Sequence, residues 1–150
     1  MPAGAWKVYG SAAEKVAKGT LDLDNAAFRI VLVTASHTPN QNTHGTWADA
    51  SANEVANGNG YATHGKLITQ TVTRSNLVTT FDCDDQSWPA STFTAKWAIL
   101  VRDADANGAL ASTDDLLAYC ELEVGGTVSP SAAALTITMN AAGLFTITAS

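Results

Sequence analysis

The sequence predicts an all-β fold with one short N-terminal helix, arranged as an antiparallel β-sandwich or a jelly-roll-like barrel of about seven to nine strands. Three observations support this prediction. Apolar and polar residues alternate in several short stretches, turn-forming Asn, Gly and Pro residues separate these stretches, and no stretch alternates strands with long helical patterns. A chain of 150 residues is long enough to form one domain with its own core. We therefore expect residues 1–150 to form a single β-sandwich domain.

The first predicted element is a helix over residues 11–18. Ser11 is expected to cap it, with Glu14 completing a capping box three residues later, and Gly19 is expected to end it. These residues predict local structure and indicate nothing about function.

A nearly continuous run of β-branched and aliphatic residues follows at 28–34. Such a run predicts a central strand that is buried on both faces for part of its length. The polar residues 35–44 predict a loop, and residues 46–56 predict a short helix with Trp47 packing inward. The Asn-Gly-Asn-Gly run at 57–60 predicts a turn.

Period-two alternation predicts three hairpins, because successive side chains of a strand point to opposite faces. Their paired segments are 66–73 with 77–84, 93–102 with 116–124, and 135–139 with 145–148. Each strand is expected to turn one face to the core and one to water, and residues 85–89 are expected to form a loop. Segment 145–148 carries uncharged Thr outside, so its edge is expected to need cover from a loop or another chain.

The charge is unevenly distributed along the chain. The last 48 residues contain six acidic residues and no Lys or Arg, whereas the preceding 102 contain eight of each sign. Nucleic-acid binding needs clustered Lys or Arg, so we expect no nucleic-acid partner. No apolar run is long enough to span a bilayer, so we expect no membrane partner. No basic and apolar blocks begin the sequence, so we expect synthesis in the cytoplasm.

The two cysteines, Cys83 and Cys120, fall on strand positions assigned to the core. Free buried thiols are the expected state in a reducing compartment, and a disulfide between the two residues is the alternative.

The acidic segment between the strands of the second hairpin matches the calcium-loop pattern D-x-D-x-N-G-x5-D. The predicted oxygen ligands are the side chains of Asp103, Asp105, Asn107 and Asp114 with the main-chain carbonyl of Ala109. The last ligand is Asp where the pattern prefers Glu, and strands replace the two helices of an EF-hand. An Asp/Asn/Gly-rich hairpin loop is therefore the alternative, and calcium is the single cofactor that the sequence suggests.

No catalytic motif is present. The sequence contains no nucleophile elbow, no dinucleotide fingerprint and no phosphate-binding loop. His37, His44 and His64 lie in polar loops without metal-ligand spacing, and we expect them to face water. Asp82 and Asp84 share one face of a strand, where they cannot flank a glycosidic bond from opposite sides. We therefore do not expect an enzyme.

Five aromatic residues are candidates for an interface or for stacking on a sugar: Trp6, Tyr9, Trp47, Tyr61 and Trp88. Several of them occur in predicted loops. Packing in the core or at its boundary is the alternative for each.

Several segments together resemble a family of small virion proteins of tailed bacteriophages. They are Met1-Pro2 with Trp6-Lys7-Val8-Tyr9, residues 52–61, Thr73-Arg74-Ser75, residues 81–85 with Trp88, and residues 95–99. The resemblance covers nearly the whole chain, and its most distinctive part is the run Asn-Glu-Val-Ala-Asn-Gly-Asn-Gly-Tyr at 53–61. The acidic segment 103–115 departs from the family pattern, so the resemblance adds nothing to the calcium prediction.

The resemblance implies a structural component of the virion. Within that setting we expect a capsid decoration, or cement, protein that binds the outer surface of the shell of major capsid protein, stabilises it, and acts as a homo-oligomer, either a dimer or a trimer. The alternative is a structural module of the tail or baseplate that binds host glycans through loop aromatics such as Trp47 and Trp88. The expected location in both cases is the virion.

Overall fold

The computed structural model describes residues 4–150, so Met1 and Pro2 of the resemblance lie outside the described residues. The described chain is mostly β-structure with one α-helix, as predicted. The helix α1 spans Gly10–Ala17, and the strands are β1 Lys7–Val8, β2 Phe28–Val33, β3 Lys66–Leu67, β4 Gln70–Ser75, β5 Val78–Cys83, β6 Gln86–Ser91, β7 Trp97–Arg102, β8 Leu116–Glu121, β9 Ala133–Ile137 and β10 Phe145–Thr148. The sheets are antiparallel and stay open, so the sandwich is the predicted architecture that is observed.

The larger sheet has five strands in the order β1-β8-β7-β2-β3. The prediction of a central strand near residue 30 is confirmed, because β2 pairs with both β7 and β3. The predicted hairpin of β7 and β8 is also confirmed. The expectation that one face of each of these strands meets water is wrong, because residues 98–101 and 116–120 are all buried.

Both faces of the larger sheet are covered by other parts of the chain. On one face Phe28 meets Phe81 of β5 edge to face, with ring centroids 5.9 Å apart. On the opposite face Tyr9 packs on Tyr119 at 5.0 Å, and Trp97 meets Tyr119 at 6.0 Å. Strand β5 and the residue that precedes helix α1 therefore cover opposite faces of the larger sheet.

The second sheet has three strands in the order β10-β5-β4. The predicted hairpin of β4 and β5 is confirmed, and its two-residue turn contains Asn76 at φ 53°. Its inner face is fixed by Phe81, which stacks on Phe145 of β10 with centroids 4.9 Å apart and planes 10° from parallel. Its outer face is not packed against the core.

The third predicted hairpin is wrong. β9 pairs with β6 in a separate two-stranded sheet, whereas β10 pairs with β5 in the three-stranded sheet. Residues 140–143 do form a turn, in which Gly143 N donates to Asn140 O at 2.8 Å. Strand β6, which pairs with β9, includes residues 86–89 of the predicted loop at 85–89 and contains Pro89. That residue lies where the register shifts between Trp88 and Ser91, a position at which a strand tolerates proline.

Helix α1 begins one residue earlier than predicted. Tyr9 occupies the N-cap position without a side-chain cap, and the Ser11 hydroxyl donates to His44 O at 3.4 Å. The predicted capping box is therefore wrong. Gly19 follows the helix at φ 71°, as predicted for its end.

The predicted short helix after residue 46 consists of two 3₁₀ turns, Trp47–Asp49 and Ser51–Asn53. Trp47 is buried, as expected, and a capping box joins Thr46 and Asp49. The predicted turn at 57–60 is present, with Asn59 at φ 52°.

Candidate functional site

The outer face of the three-stranded sheet carries mostly small polar side chains, which are exposed on its two outer strands and half-buried on its central strand. Phe81 and Cys83 of β5 are buried, so the alternate residues of the sheet point away from the core. The register places Thr80 beside both Thr73 and Thr146, and Val78 beside Ser75 and Thr148. We call this surface the threonine face; it consists of Thr71, Thr73, Ser75, Val78, Thr80, Asp82, Thr146 and Thr148.

The chemistry of the threonine face is uncharged and uniform. Its one ionisable residue is Asp82, which accepts a hydrogen bond from its neighbour Cys83 N at 2.9 Å. Threonine favours strands because its branched side chain packs well on a pleated surface. Its hydroxyl can donate and accept hydrogen bonds, and burying it costs far less than burying a charge. Apart from the position of Asp82, the face can therefore be covered by another molecule without burying a charge.

The edge beside this face is also open. β10 lies at the end of its sheet, and its Ile147 side chain is 49% exposed. A groove of about 380 Å³ separates β10 from helix α1. We call it the β10 groove; its lining is apolar and includes Ala13, Val16, Ala17, Leu23, Leu117 and Ile147.

The predicted calcium loop is held together by its own main chain. Asp103 is 2% exposed, and its carboxylate accepts hydrogen bonds from Asn107 N at 3.3 Å and Gly108 N at 2.9 Å. Arg29 Nη1 lies 3.9 Å from the same carboxylate. These contacts give Asp103 a structural role whether or not an ion is bound.

The other predicted ligands are arranged in a similar way. Asp114 is buried and accepts a hydrogen bond from Ala111 N at 2.8 Å. The Asn107 side chain accepts one from Ala109 N at 2.8 Å, and Asp105 is exposed. Among residues 4–150 no group of three or more His, Cys, Asp or Glu side chains is close enough to hold a metal. The structure does not bring three of these acidic side chains together, and calcium binding stays a prediction.

The structure corrects the prediction of interface aromatics. Tyr9, Trp47, Tyr61 and Trp88 are between 0 and 3% exposed, so they are core residues. Trp6 is half-buried against the same core. Tyr9 precedes helix α1, Trp47 lies in a 3₁₀ turn and Trp88 lies in strand β6, and each of these segments buries its aromatic ring.

Tyr61 shows what these aromatics do instead. Its hydroxyl donates to Glu54 Oε1 at 2.8 Å and accepts a hydrogen bond from Leu32 N at 3.2 Å. Burial raises the pKa of Tyr61, and the nearby carboxylate of Glu54 raises it further. The residue therefore ties the turn at 57–60 to strand β2 and stays neutral.

The expectation that all three histidines face water is wrong for His37. This residue is 3% exposed, and its Nε2 atom has no hydrogen-bond partner. Its ring lies 5.5 Å from that of His44. Burial lowers the pKa of His37, the nearby His44 lowers it further, and Asp49 opposes both effects. His64 instead accepts a hydrogen bond from Leu110 N at 3.2 Å.

Several carboxylates of the acidic C-terminal third lie beside cations from earlier in the chain. Asp115 pairs with Lys15 and lies 3.6 Å from Arg102 Nη1, and Glu121 lies 3.5 Å from Lys96 Nζ. Cations from the first two thirds of the chain therefore balance carboxylates from the last third. Three of the six carboxylates in the last third, those of Asp103, Asp115 and Glu121, are paired in this way.

The two cysteines are free and buried, as expected. Burial raises the pKa of the Cys83 thiol and of the Cys120 thiol to about 12. Both thiols therefore stay protonated and unreactive at neutral pH.

The acidic cluster at the end of β5 is structural too. Asp84 Oδ1 accepts a hydrogen bond from Thr69 N at 2.7 Å, and Asp85 Oδ1 accepts one from Met139 N at 2.7 Å. These carboxylates join neighbouring segments and do not converge on a cavity.

The threonine face is the feature that the sequence prediction missed as a site. Its signal was present, because Thr recurs at alternate positions 71 and 73 and again at 146 and 148. The alternation showed that each strand has a threonine side. It did not show that the strands lie side by side, since that depends on the pairing of β10 with β5.

No helix in the described part of the chain is long and apolar enough to cross a membrane. Comparisons with protein-family models, with curated proteins and with solved structures give no significant match for this chain. A proposal of function therefore depends on the resemblance given above and on the two surfaces just described.

Proposed function

We propose that the protein is a structural component of a tailed-bacteriophage virion, and that it is a capsid decoration protein. In this role it binds the outer surface of the shell of major capsid protein and stabilises that shell. The threonine face is the observation that supports the proposal most, because it is a regular, nearly uncharged surface whose two outer strands turn exposed side chains to solvent. The resemblance to small virion proteins supports it independently.

The rigid body is supplied by the larger sheet. Its central strands are buried on both faces, and its edge strands β1 and β3 are only two residues long. A decoration protein has to resist deformation of the shell. It does not need to make or break a covalent bond. A fully covered sheet with short edges suits that role, because it offers few groups to unwanted partners.

The size of the threonine face sets a condition on how attachment works. Three strands about 4.8 Å apart, with up to six residues of about 3.4 Å each, give a face of roughly 300 Å². A stable interface buries about 800 Å² on each partner. One face on its own is therefore too small, and we expect several linked faces to act together and raise the avidity.

The glycan-binding alternative loses its predicted residues. Trp47 is 2% exposed and Trp88 is 1% exposed, so neither offers a ring face to a sugar. No other observation in the described residues favours a tail-tip module.

Copy number tests the proposal. Quantitative mass spectrometry of virions from the phage that encodes the chain should give on the order of hundreds of copies per particle, as expected for a lattice of repeated contacts. A few copies per particle would assign the protein to the tail, and absence from the particle would reject the proposal.

A binding assay tests the threonine face itself. Thr73→Arg places a long charged side chain on the β4 side of the face and should weaken binding to purified shells at least about tenfold, because a bulky, strongly hydrated group would replace a small hydroxyl in the interface. Thr113→Arg is the matched control, since Thr113 is exposed in the 103–115 loop. Unchanged binding by the Thr73 variant would remove the threonine face from the proposal.

A further inference from the structure

The pairing of β10 with β5 determines which N–H and C=O groups of β10 point toward its free edge. Ala149 N donates to Leu77 O at 2.8 Å, which fixes the phase of the ladder between β10 and β5. In an antiparallel ladder, alternate residues bond to one neighbour and the residues between them face the other side. The N–H and C=O groups of Thr146 and Thr148 therefore point away from β5.

The hairpin of β4 and β5 confirms this assignment of hydrogen-bonded residues. Ser75 faces Val78 across the two-residue turn, and residues that close such a turn form a hydrogen-bonded pair. The even-numbered residues of β5 thus bond to β4, and its odd-numbered residues bond to β10. Thr146 and Thr148 face even-numbered residues of β5, so their main-chain groups are left for a further strand.

The β10 edge is also free of the features that normally block pairing. Residues 145–150 contain no charged side chain and no proline, and the β10 groove beside them has an apolar lining. The other edge of the same sheet, β4, carries Arg74. β1 and β3 are two residues long and contain Lys7 and Lys66.

We propose that β10 pairs with β10 of a second copy of this chain, antiparallel and about a twofold axis through Ile147. In this register Thr146 faces Thr148 of the second copy, and each such pair exchanges both of its N–H···O bonds. Ile147 faces Ile147 of the second copy at a non-hydrogen-bonded position, where side chains approach most closely. The two three-stranded sheets become one six-stranded sheet.

A second copy suits this surface better than an unrelated strand. The unpaired groups are self-complementary about Ile147, as an isologous contact requires. The chain has a net charge of −6, yet no charged side chain lies on β10 or in the apolar lining beside it, so pairing sets no like charges against each other there. The half-exposed Ile147 of each copy then covers part of the β10 groove, which has no other occupant within residues 4–150.

Pairing also doubles the threonine face, because the outer faces of the two sheets become continuous. This goes beyond the proposed function, since it specifies the oligomer and its surface and needs no shell. The purified chain alone tests it, so failure of shell binding and failure of the dimer are separate results.

Sedimentation equilibrium over a concentration series is the first test. We expect a monomer–dimer equilibrium in the natural chain, and we expect Ile147→Lys to raise the dissociation constant at least about 100-fold, because two unpaired ammonium groups would be buried together. Leu77→Lys is the matched control, because Leu77 is an equally large apolar residue that is 64% exposed but lies in the hairpin turn. It should leave the dimer intact.

Two further variants guard against simple misfolding. Thr146→Pro removes only an N–H that points to the free edge, so it should abolish the dimer while the circular dichroism of the monomer stays unchanged. Ile147→Cys should form a disulfide between copies on oxidation with diamide, because facing residues at such a position have Cα atoms about 4.5 Å apart. Leu77→Cys should not, and the buried thiols of Cys83 and Cys120 should not react.

Loss of the dimer in Ile147→Lys and Thr146→Pro, with its retention in Leu77→Lys, supports the proposal. A natural chain that stays monomeric up to about 1 mM, a trimer, or a dimer unaffected by Ile147→Lys overturns it. A monomer whose Ile147→Lys variant no longer binds shells also overturns it, and assigns the edge to a strand of the shell subunit.

Discussion

The two main sheets of the sandwich differ in how far their faces are buried and in the length and charge of their edge strands. In the five-stranded sheet the central strands are covered on both faces, and the edge strands are short and carry Lys7 and Lys66. In the three-stranded sheet one face is exposed, and the edge strand β10 carries no charge. Exposed large apolar side chains occur at both sheets: Ile147 and Leu77 at the three-stranded sheet, and Leu67 of β3 and Val124 after β8 at the five-stranded sheet.

This difference indicates a division of roles within one small domain. A sheet that is buried on both faces contributes most of the hydrophobic free energy and fixes the shape of the body. A sheet with an open face and an unprotected edge costs stability and solubility, and natural proteins usually block such edges. We call the five-stranded sheet the framework sheet and the three-stranded sheet the contact sheet.

The largest expected effect compares one leucine in each region. Leu100 of β7 is 0% exposed, so Leu100→Ala should lower the free energy of unfolding by about 2–5 kcal/mol. Leu77→Ala, at the tip of the three-stranded sheet and 64% exposed, should change it by less than about 0.5 kcal/mol. Urea denaturation measures both values. A similar loss of unfolding free energy in the two variants would contradict the distinction between the two sheets.

The next effect concerns the loop that joins β7 and β8 in the framework sheet. Asp103→Ala should destabilise the protein by about 1–3 kcal/mol in calcium-free buffer, because the N–H groups of Asn107 and Gly108 lose their acceptor. Asp105→Ala is the control and should have almost no effect, since Asp105 is exposed.

Calorimetric titration of the same two variants tests the calcium prediction. A calcium site would give a binding heat in the natural chain that both substitutions remove, because both residues are predicted ligands. A flat titration in the natural chain, together with a destabilised Asp103→Ala variant, would leave the loop with a purely structural role.

The smallest effect is a pH dependence that arises beside the framework sheet. His37 O accepts a hydrogen bond from Trp97 Nε1 of β7 at 3.0 Å, and the buried His37 side chain has its pKa lowered below 6.5 by burial and by His44. The unfolded chain therefore binds a proton more readily than the folded chain. The stability should be constant above pH 6.5 and should fall as the pH drops below it.

Thermal unfolding at a series of pH values measures this effect. His37→Gln should flatten the fall just below pH 6.5, whereas His64→Gln should keep it. A fall of the same size in both variants would show that other groups cause it.

The sequence predicted those elements whose signals are local. The unbroken run at 28–34 predicted β2. The residues at 57–60 and Gly19 predicted a turn and a helix end, because Gly and Asn adopt positive φ angles more readily than other residues. The hairpin of β4 and β5 followed from two alternating segments with Asn76 between them. In each case neighbouring residues carry the whole signal.

The sequence did not predict features that depend on distant contacts. The turn at 140–143 was read correctly, but only the three-dimensional fold shows that β9 and β10 then enter different sheets. Tyr9 and Trp88 were candidates for an interface, with core packing as the alternative, and the fold buries both. Polar periodicity cannot show that a loop folds back as a cover, and it cannot show which strands place their threonines side by side.

A density map of the virion that resolves individual strands tests the central claim most directly. The division between a framework sheet and a contact sheet predicts that the chain lies on the outer shell with its threonine face toward the major capsid protein, and with β10 at the contact between two copies. Density that turns the five-stranded sheet or the 103–115 loop toward the shell, with the threonine face open to solvent, would contradict it.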